Sequence, residues 1–296
     1  MRKPTSVCCL ILLSVHSLFA QSIPKKLRLS LQTGYEMQDL GWSIAGNIAG
    51  GNPNIYSELK WKKVGGGYVS AALQWNVWNK ILLTADYSRS FIRSGTVSDN
   101  DYSGDNRTNP VYNEIFDADK GYTQVWSAGA GYVLISGNNF SLIPYVGYGI
   151  SRQSLHLLDQ TGNLPDLNST YETDWKGPFV RANAILLLTD KFKLIANFTY
   201  NQVNYNAKAN WNLIQTFQHP VSYRHNAKGF GIDGLAALSY DLTSNLTIQA
   251  GGGYFTWQTG KGVDELFLSS GGSDKTQLNG VDRKGYKLFG GLVLSY

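Results

Sequence analysis

Val69-Ser70-Ala71-Ala72-Leu73-Gln74-Trp75-Asn76-Val77 sets an apolar side chain at nearly every odd position and leaves Gln74 and Asn76 on the opposite face. After the turn Trp78-Asn79-Lys80 the pattern returns, with Ile81, Leu83, Ala85 and Tyr87 on one side and Thr84, Asp86 and Ser88 on the other. Period two is the signature of a strand, and apolar-out, polar-in alternation on both sides of a short turn is that of a hairpin in a transmembrane barrel. Phe192, Leu194, Ala196, Phe198 and Tyr200 alternate with Lys193, Asn197 and Thr199 in the same way. Leu246, Ile248, Ala250 and Tyr254 alternate with Thr247 and Gln249.

The N-terminus explains how such strands would reach a membrane. Met1-Arg2-Lys3 followed by Val7-Cys8-Cys9-Leu10-Ile11-Leu12-Leu13 reads as a secretory signal ending near Ala20, so the barrel domain is expected over 21–296. No later stretch offers roughly 18 consecutive apolar residues, so a membrane span must be β rather than helical. Both cysteines lie in the signal, and the formal charge of +5 falls to +3 once Arg2 and Lys3 are removed. That balance is too mild for nucleic acid. With 32 Gly, 18 Tyr and 8 Trp, the chain has the aromatic excess that barrels place in girdles at both interfaces. A soluble β-sandwich would also alternate, but would need neither the girdles nor the signal.

Short turns at 78–80, 136–139, 189–191 and 243–245 alternate with longer polar stretches, which barrels of this kind turn outward. Tracing the chain through them predicts an all-β, antiparallel up-and-down barrel of about ten strands. These lie near 27–40, 54–64 extending toward 78, 80–95, 120–135, 140–156, 170–188, 192–210, 222–241, 245–259 and 281–296. Long extracellular loops are then expected near 41–53, 96–119, 157–169, 211–221 and 260–280. An even strand count returns both termini to the periplasm, and the last strand, Tyr286 to Tyr296, alternates and ends on an aromatic ring. The expected location is the cell outer membrane.

Two loop patterns carry a family resemblance. Ser98-Asp99-Asn100-Asp101 follows the third strand, and Gln215-Thr216-Phe217-Gln218-His219 follows the seventh. With the strand order and loop spacing, they resemble the omptin family of ten-stranded outer-membrane aspartate-type endopeptidases, whose groove lies at the outer rim. The resemblance implies a peptide-bond hydrolase in which Asp99, Asp101 and His219 activate a water, as a positioned imidazole and a carboxylate pair can. Phe217 stands where the family carries the aspartate that orients the histidine, and Gln215 where it carries an acid for a basic substrate side chain, so the site is incomplete. His156 and His225 have no matching role.

The resemblance also implies a lipopolysaccharide contact on the outer wall that activates the enzyme. Tyr148, Arg152 and Lys228 match it, Ile150 replaces an acid, and Asp174 replaces a base. No cofactor or metal is expected, because the few histidines lack ligand spacing. The implied partners are outer-membrane lipid, lipopolysaccharide and a polypeptide substrate. The alternative is a non-catalytic barrel that binds a host or envelope protein. A passive pore ranks last, since about ten strands enclose a lumen that side chains fill, whereas porins use roughly 16–18.

Overall fold

The structure is a computed structural model that describes residues 26–296, so the expected signal over 1–20, with Cys8 and Cys9, lies outside the described residues. From the N-terminus run β1 (Leu27–Ile44), β2 (Ser57–Trp78), β3 (Ile81–Gly104), β4 (Thr108–Asp117), β5 (Gly121–Tyr132), β6 (Ile135–Ser136) and β7 (Phe140–Leu158). They continue as β8 (Asn168–Leu187), β9 (Phe192–Asn210), β10 (Tyr223–Asp241), β11 (Leu246–Thr259), β12 (Gly262–Phe267) and β13 (Ser273–Ser295). Each strand pairs antiparallel with the next around the ring, and β13 closes on β1 from Arg28↔Ser295 to Ile44↔Leu278. Because β4 and β5 are the upper and lower parts of one stave, as are β12 and β11, the ring has ten staves.

Outward-facing Trp75, Trp78, Tyr132, Phe140 and Phe192 mark the end that carries the short turns together with Leu27 and Tyr296. Tyr35, Phe91, Tyr200, Tyr254 and Tyr286 form a second belt nearer the other end, with exposed aliphatics such as Leu31, Leu73, Leu83, Val180 and Leu288 between the belts. This is the lipid-facing band, about 25 Å tall in such barrels. The 24 residues of β3, at about 3.3 Å each and a tilt near 40°, would rise roughly 60 Å. A substantial part of the barrel therefore stands in water above the outer belt.

The expected ten strands are present, but two of the expected loops are not loops. β3 continues through Asp99 and Asp101 to Gly104 and returns as β4, while β12 and the start of β13 occupy most of 260–280. Above the bilayer both faces of a strand meet water or protein, so the apolar-out signal disappears although the pleat continues.

A paired bulge sets what this extension shows to the lumen. On β2 the buried, inward residues are Tyr68 and Val64, then Trp61 and Leu59; on β3 they are Ser90 and Ile92, then Val97. The parity changes at Lys63 (φ 53°) and Gly95 (φ 137°), where the β2–β3 register shifts. Gly95 is needed there because a Cβ would lie 2.8 Å from Val64 Cα, on a backbone conformation that L side chains rarely adopt. The switch turns Asp99 and Asp101 inward and Glu58 and Asn100 outward.

Candidate functional site

Asp99 sits opposite Leu59 of β2 and Glu114 of β4, and Asp101 sits opposite Ser57 and Tyr112. The two aspartates therefore share the lumen-facing side with Tyr112 and Glu114. Burial, and then the charge of Asp101, push the Asp99 carboxyl up to about 7. Burial also raises Asp101, against a hydrogen bond from Ser57. Tyr112 is pushed up to about 12 by burial and by the charges of Asp99, Glu114 and Asp101. Among the described residues no ion pair joins Asp99, Asp101 or Glu114 to a base. The site is a negative surface without internal compensation.

The remaining upper lumen is packed with rings. Tyr171 stacks on Trp61 with centroids 5.2 Å apart, Trp175 packs on Tyr205 at 4.4 Å, and Trp42 meets Tyr223 at 5.9 Å and His225 edge-on at 4.9 Å. All of these are buried. A polar chain runs through them. Tyr171 Oη lies 2.6 Å from Tyr205 Oη and 2.8 Å from His225 Nδ1. His225 Nε2 lies 3.1 Å from Asp264 Oδ1, off the line of a good ring N–H bond. Asp264 Oδ2 in turn accepts from Thr276 Oγ1 at 3.0 Å. Cross-strand register aligns Ala207, His225, Asp264 and Thr276 on one rung, which explains how His225 finds a carboxylate from β12. Asp99 sits opposite Leu59, a member of this buried cluster, which places the acid pair on the border of the plug.

Below the rings a hydrogen-bonded layer seals the plug. Gln153 accepts from Thr173 at 2.9 Å and from the Trp175 indole at 3.2 Å, and donates to Gln38 at 3.0 Å. Arg283 donates to Gln38 and Ser151 at 2.7 and 2.8 Å, with its guanidinium over Phe255 and Trp257. Beneath lies a chamber of about 370 Å³ whose mixed lining includes the polar side chains Gln32, Asp86, Arg181, Asn197 and Asp233.

The expected site residues come from two elements. Asp99 and Asp101 stand together, whereas exposed His219 belongs to the loop between β9 and β10 and bonds Asn210 Oδ1 through Nδ1 at 2.7 Å. No hydrogen bond or ion pair among the described residues joins His219 to either aspartate. Phe217 packs toward the ring cluster and bridges Leu268, so the loop is held by an apolar anchor at the position where Phe217 departs from the family pattern. The lumen histidine is His225, to which the sequence had assigned no role. It is fully buried. Its partner Asp264 is distant in sequence and invisible to any local motif.

On the outer wall, Ile150, Lys176, Asn204 and Lys228 lie on one rung, just above the outer aromatic belt. Arg152 bonds Asp174 at 2.8 Å and Lys176 bonds its other oxygen at 3.0 Å, while exposed Tyr148 lies on the same wall. Lys176, absent from the motif comparison, supplies a base beside Asp174.

The profile of the Protochlamydia outer membrane protein family matches residues 30–287. The chain belongs to that family. Its members' description and the barrel geometry agree in placing the chain in the outer membrane. Among solved structures it is similar to the outer membrane protease OmpT from Escherichia coli, with 15% identity, a TM-score of 0.74, and coverage of 94% of this chain and 99% of that one. At that identity the likeness shows the shared fold. The translocator domain of the autotransporter NalP from Neisseria meningitidis also matches, with 12% identity, a TM-score of 0.38, and coverage of 93% and 90%. No curated protein matches.

Proposed function

We propose that this family member is a surface barrel that binds a partner at its extracellular rim without cutting it. The observation that carries this reading is the aromatic plug. Trp42, Trp61, Tyr171, Trp175, Tyr205 and Tyr223 belong to one buried cluster that fills the upper lumen beside the acid pair. The exposed histidine lacks a carboxylate partner, and the histidine that has one is out of reach of substrate. The same plug argues against a passive pore.

A second reading, omptin-like peptide hydrolysis, is favoured by Asp99. A carboxyl near 7 beside a second carboxyl can exchange protons with a bound water, as general acid–base catalysis requires. On that reading Asp99 and Asp101 would hold the water and His219 would take its proton. The test is incubation of the refolded barrel, with and without lipopolysaccharide, with a mixed peptide library read by mass spectrometry. The expected result is no cleavage. Cleavage that disappears in the Asp99→Ala/Asp101→Ala double variant would replace the binding reading with the endopeptidase.

Lipopolysaccharide enters as a wall contact. Tyr148, Arg152 and Lys228, joined by Lys176, offer phosphate-binding donors at headgroup height, where basic side chains also snorkel.

A further inference from the structure

Above the membrane the ring of staves opens beside β4, as it also does beside the top of β13, where residues 273–277 run past the end of β1. β4 pairs with β3 from Thr96↔Asp117 to Gly104↔Thr108, but its other side meets the chain only at Asp117↔Leu158. β7 ends there and turns away toward β8. Residues 108–116 of β4 therefore present a free strand edge above the membrane, and every residue from Thr108 to Ile115 is exposed. Such edges are usually blunted by lysines, prolines or bulges. Pro110 and the register shift beside it blunt the upper end of this edge, whereas Val111-Tyr112-Asn113-Glu114-Ile115-Phe116 below holds neither lysine nor proline and consists mostly of residues that favour strands. The one register shift against β3 falls at its start, before Tyr112, and the pairing runs unbroken from there to Asp117.

The two faces of this edge differ. Register puts Tyr112 and Glu114 on the lumen side beside Asp101 and Asp99, with no base among the described residues paired to any of the three acids. Ile115 faces outward and is 53% exposed, and Val111, which bulges from the β3 register, is 64% exposed. We propose that this edge is a docking site for an extended polypeptide segment in which Lys or Arg alternates with apolar residues. Its backbone would complete the missing rung, its cations would meet Asp99, Asp101 and Glu114, and its apolar side chains would cover Val111 and Ile115. Strand addition supplies affinity through main-chain hydrogen bonds and specificity through alternate side chains.

The six residues 111–116 give room for a segment about 20 Å long. A second copy in the same membrane fits poorly. A two-fold axis along the membrane normal would run the two β4 edges in the same direction, and would set Glu114 against its own copy without a counter-charge. This inference rests on the binding reading above and names its site and ligand class.

The probe is a labelled ten-residue peptide alternating Lys and Val, titrated by fluorescence anisotropy against the refolded full barrel in neutral lipid vesicles. Three comparators accompany it: the same peptide N-methylated at alternate residues, a Glu-Val peptide, and the barrel variant Glu114→Gln/Asp99→Asn. Saturable binding of the Lys-Val peptide is expected, weakened tenfold or more by N-methylation and by the variant, with the Glu-Val peptide inert. With Cys introduced at Val111, Asn113 or Ile115, a thiol at alternate peptide positions should cross-link in register. Equal binding of the N-methylated peptide, or no effect of the double variant, would overturn strand addition. Absence of binding to a folded barrel that also leaves the peptide intact defeats this inference alone; a cut peptide defeats the non-hydrolytic reading instead.

Discussion

Replacing Asp99 by Asn removes one charge from the acidic face while keeping shape and burial. The Asp99 carboxyl is raised from 3.8 to about 7, chiefly by burial, so its charged form is disfavoured in the folded barrel. A carboxyl raised on folding contributes stability that is fully present below its unfolded pKa and lost as pH rises through the folded one. Wild type should therefore weaken between about pH 4 and pH 7, and the Asp99→Asn variant, neutral at this position throughout, should not. At about 1.4 kcal/mol per pH unit the span sets an upper limit of about 4 kcal/mol, and partial solvent screening brings the expected gain to about 2 kcal/mol at pH 8. Guanidinium titrations of the refolded barrel in vesicles, followed by tryptophan fluorescence, would compare the proteins at pH 4 and pH 8. The variant should be more stable at pH 8 and equal at pH 4. An advantage of the same size at both values, or a loss at pH 8, would refute the assignment of an uncompensated buried charge.

Glu58 is almost fully buried and is held by Arg107 through contacts of 2.9–3.1 Å and by Lys60 at 2.7 Å; Glu58→Gln should destabilise the β3–β4 hairpin by about 2 kcal/mol, read as faster proteolytic nicking near 105–109. The hydrogen bonds to Arg107 and Lys60 lower the Glu58 carboxyl despite burial, so this contribution should fade as pH falls through its folded value. Wild-type barrels should be silent in planar bilayers. Trp61→Ala/Trp175→Ala should open a conductance at a stability cost of several kcal/mol, and silence in a folded variant would show that the plug is not what blocks the lumen. Lys176→Ala/Lys228→Ala should lower retention on lipid A vesicles several-fold while leaving retention on neutral vesicles unchanged.

The lower barrel was legible because lipid imposes a strict rule on it. Every outward side chain from Leu73 to Leu83 must be apolar, and the alternation reports the strand directly. Beyond the outer belt the rule lapses, so the strands carrying Asp99 and Asp264 read as polar loops. Asp99 and Asp101 stood out through the resemblance of Ser98-Asp99-Asn100-Asp101 to a family pattern, and that stretch lies within β3. Their inward direction depends on bulges at Lys63 and Gly95, which period-two reading cannot count. His219 was favoured over His225 because a motif is local, whereas the contact of His225 with Asp264 crosses between strands 39 positions apart in the chain. Fold class thus comes from repeated one-dimensional constraints, and the site from register, which a single strand does not contain.

The bulge pair at Lys63 and Gly95 works as a reading-frame switch for side chains. Removing Lys63 and Gly95 themselves would only straighten the strands, because each bulge is one extra residue, and Trp61, Val97 and Asp99 would keep facing inward. Removing one residue from each strand just above the bulges, such as Lys60 and its partner Ser98, would keep the β2–β3 pairing and exchange the two faces of everything beyond, turning Glu58 and Asn100 into the lumen and the acid pair outward. A two-residue deletion could thereby convert a rim with an internal negative lining into one with an external negative patch, with the bilayer-spanning wall unchanged. In this architecture insertions and deletions at one height can redirect surface chemistry more sharply than substitutions, because they invert a whole hairpin at once.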